Sequence, residues 1–413
     1  MDKRAVAVLV SLFLVITTAA MAIIFARGYR PDFKTRTMEP TGILVATSDP
    51  DGAEVFIDGK LTTATNTTIN LAPGNYDIRL SRDGYTDWQK KVTIKKEEVY
   101  KTNAFLFPKA PDLRPLTFNG SGLPTISPDQ TRIVYTVASA SATGNGIWIA
   151  DMTGRPLIGG VDFRQIFRDN LYFSLVSNIT GFTWSFDNRQ LVASTSGGLY
   201  YLFDTDRIND GPQTISNTQW DSFLAVSAQQ KQQKLAAQLA KLDANLLPLI
   251  ASTSASPLFS PDESKVLYLA TASAIMPKII NQYIPGTDPT PEDRNLQPGN
   301  IYVYDIKEDR NYLIDSVRRS ADSVQKTDPL RLYALRSTLN TISWFPTSRH
   351  LLAHNDKEIW LTEYDGSNKA VVYAGPFIDN VVFSWPNVGK ILILTTLNSP
   401  SGVGENLYTI NLR

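Results

Sequence analysis

From Ala5 to Ala26 the chain runs 22 residues without a charge, about 33 Å at 1.5 Å per helical residue and long enough to span a bilayer core. Beyond residue 40 the pattern changes to short apolar strands cut by turns. Gly42–Thr47 reads as a strand, Asp49-Pro50-Asp51-Gly52-Ala53 as the turn after it, and Glu54–Asp58 alternates for one buried face. Asp58-Gly59 predicts a tight hairpin, because both residue types tolerate positive φ. A second cluster, Leu71-Ala72-Pro73-Gly74-Asn75, precedes a strand from Tyr76 to Leu80, and Asp83-Gly84-Tyr85 turns again toward Trp88, Val92 and Ile94. Residues 41–107 are therefore expected to form a small all-β domain.

After a proline-bearing connector at Phe107–Pro111, residues 113–413 repeat. Five openings are read: Ile126-Ser127-Pro128-Asp129, Trp184-Ser185-Phe186-Asp187, Phe259-Ser260-Pro261-Asp262, Trp344-Phe345-Pro346-Thr347 and Phe383-Ser384-Trp385-Pro386. An apolar strand follows each. A further strand then begins with an aliphatic-aromatic pair (Ile147-Trp148, Leu199-Tyr200, Ile301-Tyr302, Ile359-Trp360, Leu407-Tyr408), trailed by Asp151, Asp204, Asp305 or Glu363 in the first four copies. Radial repetition of such strand sets predicts a β-propeller of five or six blades, because each sheet buries its faces against its neighbours. The last copy stops after its third strand, so Leu113–Phe118 is expected to complete that blade and close the ring, which removes exposed edges.

Two insertions interrupt the repeats. A helical run between Asp221 and Ile250 places Leu235, Leu239, Leu242 and Leu246 on one face, with Lys231, Gln232, Gln233, Lys234 and Lys241 mostly elsewhere. Its apolar stripe is expected on the rim, with partner docking the alternative. The polar stretch Ile284–Asp293 is expected as a solvated acidic loop; its acids lack the spacing of a calcium loop.

The turn Pro50-Asp51-Gly52-Ala53 with the strand and hairpin after it, followed by Pro73-Gly74-Asn75-Tyr76 and Gly84-Tyr85, resembles the PEGA family, with Asp51 in place of the eponymous glutamate. The resemblance implies a compact β-sandwich of surface-layer and membrane-anchored envelope proteins without catalytic activity of its own. The Phe/Trp-Ser-Pro-Asp openings and aliphatic-aromatic pairs resemble TolB-like propeller repeats, whose outer-strand Leu-Thr is found at Leu116-Thr117. Tyr76 and Tyr85 are expected as packing residues. Asp129, Asp187 and Asp262 are expected to cap backbone amides in equivalent turns.

Charge and composition narrow the function. Lys plus Arg and Asp plus Glu each number 40, which gives no general basis for nucleic-acid binding. Cysteine is absent and histidine occurs twice, removing thiol nucleophiles, thiolate zinc sites and most histidine mechanisms. His350 and His354 fall in a strand, about 13 Å apart at 3.3 Å per residue, too far for one metal ion. No Gly-x-Gly-x-x-Gly precedes a helix and no Gly-x-Ser-x-Gly elbow occurs. No catalytic residue, cofactor or metal is expected.

The expected architecture is thus an N-terminal transmembrane helix with a basic linker (1–40), a PEGA-like sandwich (41–107) and a propeller (113–413). Ala20-Met21-Ala22 has the form of a signal cleavage site, yet the apolar run continues beyond it, which favours a retained anchor. Arg27, Arg30, Lys34 and Arg36 after the helix outnumber Lys3 and Arg4 before it and favour an inside C-terminus; long domains translocate largely regardless of charge, and the C-terminal domains are expected outside. The reading is a non-catalytic bacterial envelope protein that binds a protein or cell-surface glycan through propeller loops, with loop residues such as Trp220, Arg318 and Arg319 as contacts. A tethered glycan hydrolase or lyase and a structural spacer are the alternatives. The hydrolase would require carboxylates from several blades about 5 to 10 Å apart at the channel.

Overall fold

The computed structural model describes residues 3–26, 29–32, 37–138, 144–154, 161–170, 174–314, 341–378, 381–387, 389–397 and 404–413. Arg27, Lys34, Arg36, Arg318 and Arg319 lie outside the described residues. The chain forms two compact units, one of residues 1–107 with 280–291, the other of 108–279 with 292–413.

The first unit begins with helix α1 (Lys3–Ala26), which contains the uncharged run. Its described side chains, Ala7 to Ile23, are all exposed and span about 26 Å of helix. Among the described residues no helix is long and apolar enough to cross a membrane. A short antiparallel ribbon, Tyr29–Asp32 with Thr37–Pro40, follows.

The sandwich has a four-stranded sheet in the order Lys60–Ala64, Glu54–Ile57, Gly74–Ser81, Trp88–Ile94, and a three-stranded sheet in the order Val99–Lys101, Gly42–Ala46, Thr67–Leu71. Leu44 and Ala46 from one sheet meet Val55, Ile78, Leu80, Trp88 and Val92 from the other in a single core. The strands alternate as their sequence requires, since successive side chains point to opposite faces. Asp58 (φ 49°) and Gly59 (φ 77°) both take positive φ, so the hairpin is of the expected mirror-image type. The Asp58 carboxylate also accepts the Asp77 amide at 2.8 Å. Gly52 (φ 74°) and Gly84 (φ 79°) turn the chain in the same left-handed region.

In the second unit the described residues form five four-stranded antiparallel blades. The first comprises Gly122–Ile126, Arg132–Val137, Gly146–Asp151 and Asp162–Arg168; the second, Ile179–Trp184, Gln190–Thr195, Tyr200–Asp204 and Gln213–Ile215. The third comprises Ser254–Phe259, Lys265–Ala270, Ile301–Asp305 and Arg310–Leu313; the fourth, Ile342–Trp344, His350–His354, Glu358–Glu363 and Ala370–Ala374. In the fifth, Val382–Ser384, Lys390–Thr395 and Asn406–Asn411 are joined by Asp112–Pro115, which pairs with Asn406–Asn411. Leu116 extends that pairing by donating its amide to the Leu407 carbonyl at 2.7 Å. The early segment thus completes the last blade. Shared apolar clusters pack blade one against blade two, blade three against blade four, and blade five against blade one. The second strands of blades three and four are buried along their whole length; that of blade three packs on blade four through Leu267 and Leu269 and on Leu242, Leu246 and Ile250 through Val266, Tyr268 and Ala270.

Three expectations change. The helical run divides into α2 (Asn217–Leu239) and α3 (Leu247–Thr253), so Leu235 and Leu239 lie on α2 while Leu242 and Leu246 lie in the connection between the helices. Leu242 and Leu246 are buried with Ile250 against blade three, whereas α2 has no buried residue. The stretch around Asp288 is not simply a solvated loop: residues 280–291 belong to the first unit, and Asp288 is buried there. The fifth opening is shifted by one residue. The Ser127 amide bonds the Arg132 carbonyl at 2.8 Å, and Trp385 makes the equivalent bond to Lys390 at 3.0 Å, so the copy begins at Ser384.

Candidate functional site

The opening turns explain themselves from three residues. In blade one the Ser127 hydroxyl donates to Asp129 Oδ1 at 2.6 Å, while its oxygen accepts the Arg132 amide at 3.0 Å and Asp129 Oδ1 accepts the Thr131 amide at 3.1 Å. Ser185 with Asp187, and Ser260 with Asp262, repeat this at 2.6 and 2.7 Å. Pro128 and Pro261 supply the fixed φ that starts the turn, and Gln130, Asn188 and Glu263 take the positive φ that ends it. In blade four Phe345 replaces the serine, and Thr347 accepts the Arg349 amide at 3.3 Å in the aspartate's place. These aspartates cap their turns.

Their charges match that role. Burial opposes ionisation of Asp129, but hydrogen bonds from Ser127 and Thr131 and the nearby Arg132 cation outweigh it and leave the carboxyl below its ordinary value. At Asp187 the Ser185 hydroxyl is the largest influence and acts in the same direction. At Asp262 burial is again opposed by Ser260, Ser264 and Lys265, and the pKa falls to about 2.

The trailing acids are partners across the strand pair. The residue that starts each blade's second strand stands opposite the end of its third: Arg132 opposite Asp151, Gln190 opposite Asp204, Lys265 opposite Asp305, His350 opposite Glu363 and Lys390 opposite Asn411. Arg132 reaches Asp151 at 3.4 Å and Lys265 reaches Asp305 at 3.3 Å. Two tryptophans link blades by an equivalent bond: Trp184 Nε1 donates to the Thr125 carbonyl at 3.1 Å, and Trp344 Nε1 to the Leu258 carbonyl at 2.9 Å. Trp385, in the serine position, is buried where blades five and one pack.

The first strands of the five blades, as described, contain no aspartate or glutamate. A cavity of about 160 Å3 is lined by Ile126 and Gln130 of blade one, Thr341, Ile342, Ser343 and His354 of blade four, and Val382, Phe383 and Ser384 of blade five. Hydroxyls, one amide and one imidazole alternate there with aliphatic and aromatic surface, a lining that offers hydrogen bonds and apolar contact without a carboxylate pair. His350 and His354 are both buried in their strand; His350 Nδ1 lies 2.9 Å from Thr347 Oγ1, and the His354 ring packs edge-on near Phe377. Trp220 stacks on Tyr200 with centroids 4.7 Å apart, pinning the first turn of α2 to blade two.

In the first unit Pro50, Gly52, Ala53, Pro73 and Gly84 occupy turns or their margins, Ala53 being fully buried. Tyr76 and Tyr85 pack on the core, and the Tyr76 hydroxyl donates to the Ala72 carbonyl at 2.9 Å. Gly74 opens a strand, with ordinary space for a Cβ beside the Tyr76 ring. Lys90, which sequence reasoning passed over, is 6% exposed and pairs with Asp288 at 2.7 Å. Its signal is phase: in Trp88-Gln89-Lys90-Lys91-Val92-Thr93-Ile94 it shares the inward positions of Trp88, Val92 and Ile94.

This sandwich and its turn motif are those of a PEGA domain, and residues 41–109 match that family. No curated protein matches the chain. Among solved structures, a TolB candidate from Agrobacterium tumefaciens is similar at 12% identity over 75% of this chain and 73% of that one, with a TM-score of 0.20. The AfRom2 CNH domain is similar at 8% identity over 72% and 98%, with a TM-score of 0.27. TolB from Acinetobacter baumannii is similar at 9% identity over 87% and 63%, with a TM-score of 0.19.

Proposed function

We propose that the chain is a membrane-anchored, non-catalytic envelope protein whose blades form a closed propeller and bind a protein or glycan partner. The cavity shared by blades one, four and five is the binding point in this reading. The observation that carries it is the lining: donors and acceptors at Gln130, Thr341, Ser343 and Ser384 beside Phe383 and Val382, with first strands that bring no acid. Hydrogen-bonding groups beside apolar surface suit recognition of a side chain or sugar edge, and paired-carboxylate hydrolysis finds no reagents in such a lining. Anchoring is supported by the exposed apolar side chains of α1, among them Val8 at 65% and Phe13 at 70%, and by an uncharged run that extends from Ala5 to Ala26.

The test is a photo-crosslinking residue placed at Gln130 in cells that make the full chain, with the same residue at exposed Phe163 as control. One species captured at Gln130 alone, and lost when Phe383→Trp fills the cavity, is the expected result. Identical species from both positions would remove the cavity from the reading. Release of reducing ends from cell-wall glycan by the purified chain would overturn the non-catalytic role.

A further inference from the structure

The strand Trp88–Ile94 alternates buried and exposed positions, and Lys90 falls on the buried side with Trp88, Val92 and Ile94. An ammonium group in such a place loses its hydration and requires a carboxylate with good geometry. The chain supplies one from 198 positions away: Asp288 Oδ2 accepts from Lys90 Nζ at 2.7 Å, and both side chains are almost fully buried. The other oxygen, Oδ1, accepts the Thr290 amide at 2.9 Å, which fixes the carboxylate's direction. Five residues upstream, the Tyr283 hydroxyl donates to Glu98 Oε2 at 2.6 Å, and Lys95 Nζ lies 3.6 Å from the centre of the Tyr283 ring. Between them Gly286 (φ 70°) passes so close that a Cβ would stand 2.9 Å from the Val99 carbonyl oxygen.

Residues 280–291 have neither strand nor helix of their own. They are seated on residues 90–99 by an aromatic ring, a close-approaching glycine and a carboxylate, in the manner of a bound peptide. We infer that this face of the PEGA domain is a binding site for a short acidic peptide carrying an aromatic residue five positions before an aspartate, with glycine between, and that Tyr283–Asp288 occupies it in cis. The partner is then a segment of another protein with that spacing, which must displace the tethered copy. Tethering corresponds to an effective concentration on the order of millimolar, so the free site is held in reserve until a competitor is concentrated or the tether is loosened. This inference does not rest on the reading of the blade cavity.

The test uses the full chain in detergent and a fluorescein-labelled synthetic peptide of residues 280–291, followed by anisotropy. Asp288→Asn removes the tethered charge, and Gly286→Ala dislodges the same segment without touching the ion pair. Either change, in protein that keeps a cooperative melt, is expected to tighten peptide binding at least tenfold over the unaltered chain. Adding Lys90→Met, or replacing the peptide's own aspartate by asparagine, is expected to abolish that gain. Binding that stays at the unaltered level in both loosened variants, or that persists after Lys90→Met, would overturn the inference and leave residues 280–291 as fixed covering.

Discussion

Asp262 is held ionised by the turn it closes. Its pKa falls to about 2 from an ordinary 3.8, so the folded state binds protons less readily than the unfolded one. A depressed carboxyl contributes stability that is complete above the unfolded value and is lost as pH falls through the folded one. Asp129 and Asp187 shift in the same direction. Thermal melts followed by circular dichroism should therefore show a midpoint that declines as pH drops from about 4 toward 2. Asp262→Asn should lower the midpoint at neutral pH and flatten the decline across that window. The tryptophans permit a second prediction at this scale. Trp184→Phe keeps an aromatic ring but leaves the Thr125 carbonyl without its 3.1 Å bond and vacates part of a buried indole site, and should destabilise by at least about 1 kcal/mol in denaturant titration. The Ser-Pro-Asp turns were readable in sequence because each residue type has a local job. The fifth opening was not, since Trp385 holds the serine's backbone position and only its amide bond to Lys390 reveals the register.

Two charged pairs at equivalent places in different blades show how surroundings set their worth. Arg132 and Asp151 are 25% and 26% exposed, whereas Lys265 and Asp305 are 10% and 4% exposed. Partly hydrated pairs contribute about 0 to 1 kcal/mol, while removing one partner of a buried pair costs about 3 to 5 kcal/mol through the charge left behind. Lys265→Met should accordingly lower stability well beyond Arg132→Met, as denaturation midpoints of the two variants will show. In the first unit Gly42 starts its strand so near the end of Trp88–Ile94 in the other sheet that a Cβ would strike the Lys95 carbonyl oxygen and stand 2.5 Å from Ile94 Cγ2. Gly42→Ala should cost about 1 to 3 kcal/mol by overpacking. Strand alternation made these elements legible, because period two is written locally. The trailing acids were visible but not their partners, since pairing across a strand pair depends on register. In the helical run apolar spacing continued through Leu242 and Leu246, yet Ala240 ends α2 and the later leucines turn into blade three.

For the whole chain, order along the sequence predicts less than long-range pairing does. Asp112–Pro115 joins strands almost three hundred residues later, which the incomplete last repeat foretold. Residues 280–291 join the first unit, which no local pattern foretold, because a buried lysine and its carboxylate each look ordinary until they meet. If α1 anchors the chain as proposed, its orientation sets the compartment of both units. The basic residues Arg27, Arg30, Lys34 and Arg36 follow it, against Lys3 and Arg4 before it, and by flanking charge alone the C-terminal side would remain in the cytoplasm. Flanking charge acts most strongly on short loops, however, and nearly four hundred residues follow the helix; segments of that length translocate largely regardless of charge. Fusing to Arg413 a phosphatase active only outside the cytoplasm, and in parallel a protein fluorescent only inside, should give phosphatase activity and a dark partner. Replacing Arg27, Arg30, Lys34 and Arg36 by glutamine should then leave that result unchanged. Fluorescence of the unaltered chain's fusion that disappears in the glutamine variant would mean that the flanking charges decide orientation, and the partner of the blade cavity would have to be sought among cytoplasmic molecules at the inner membrane face.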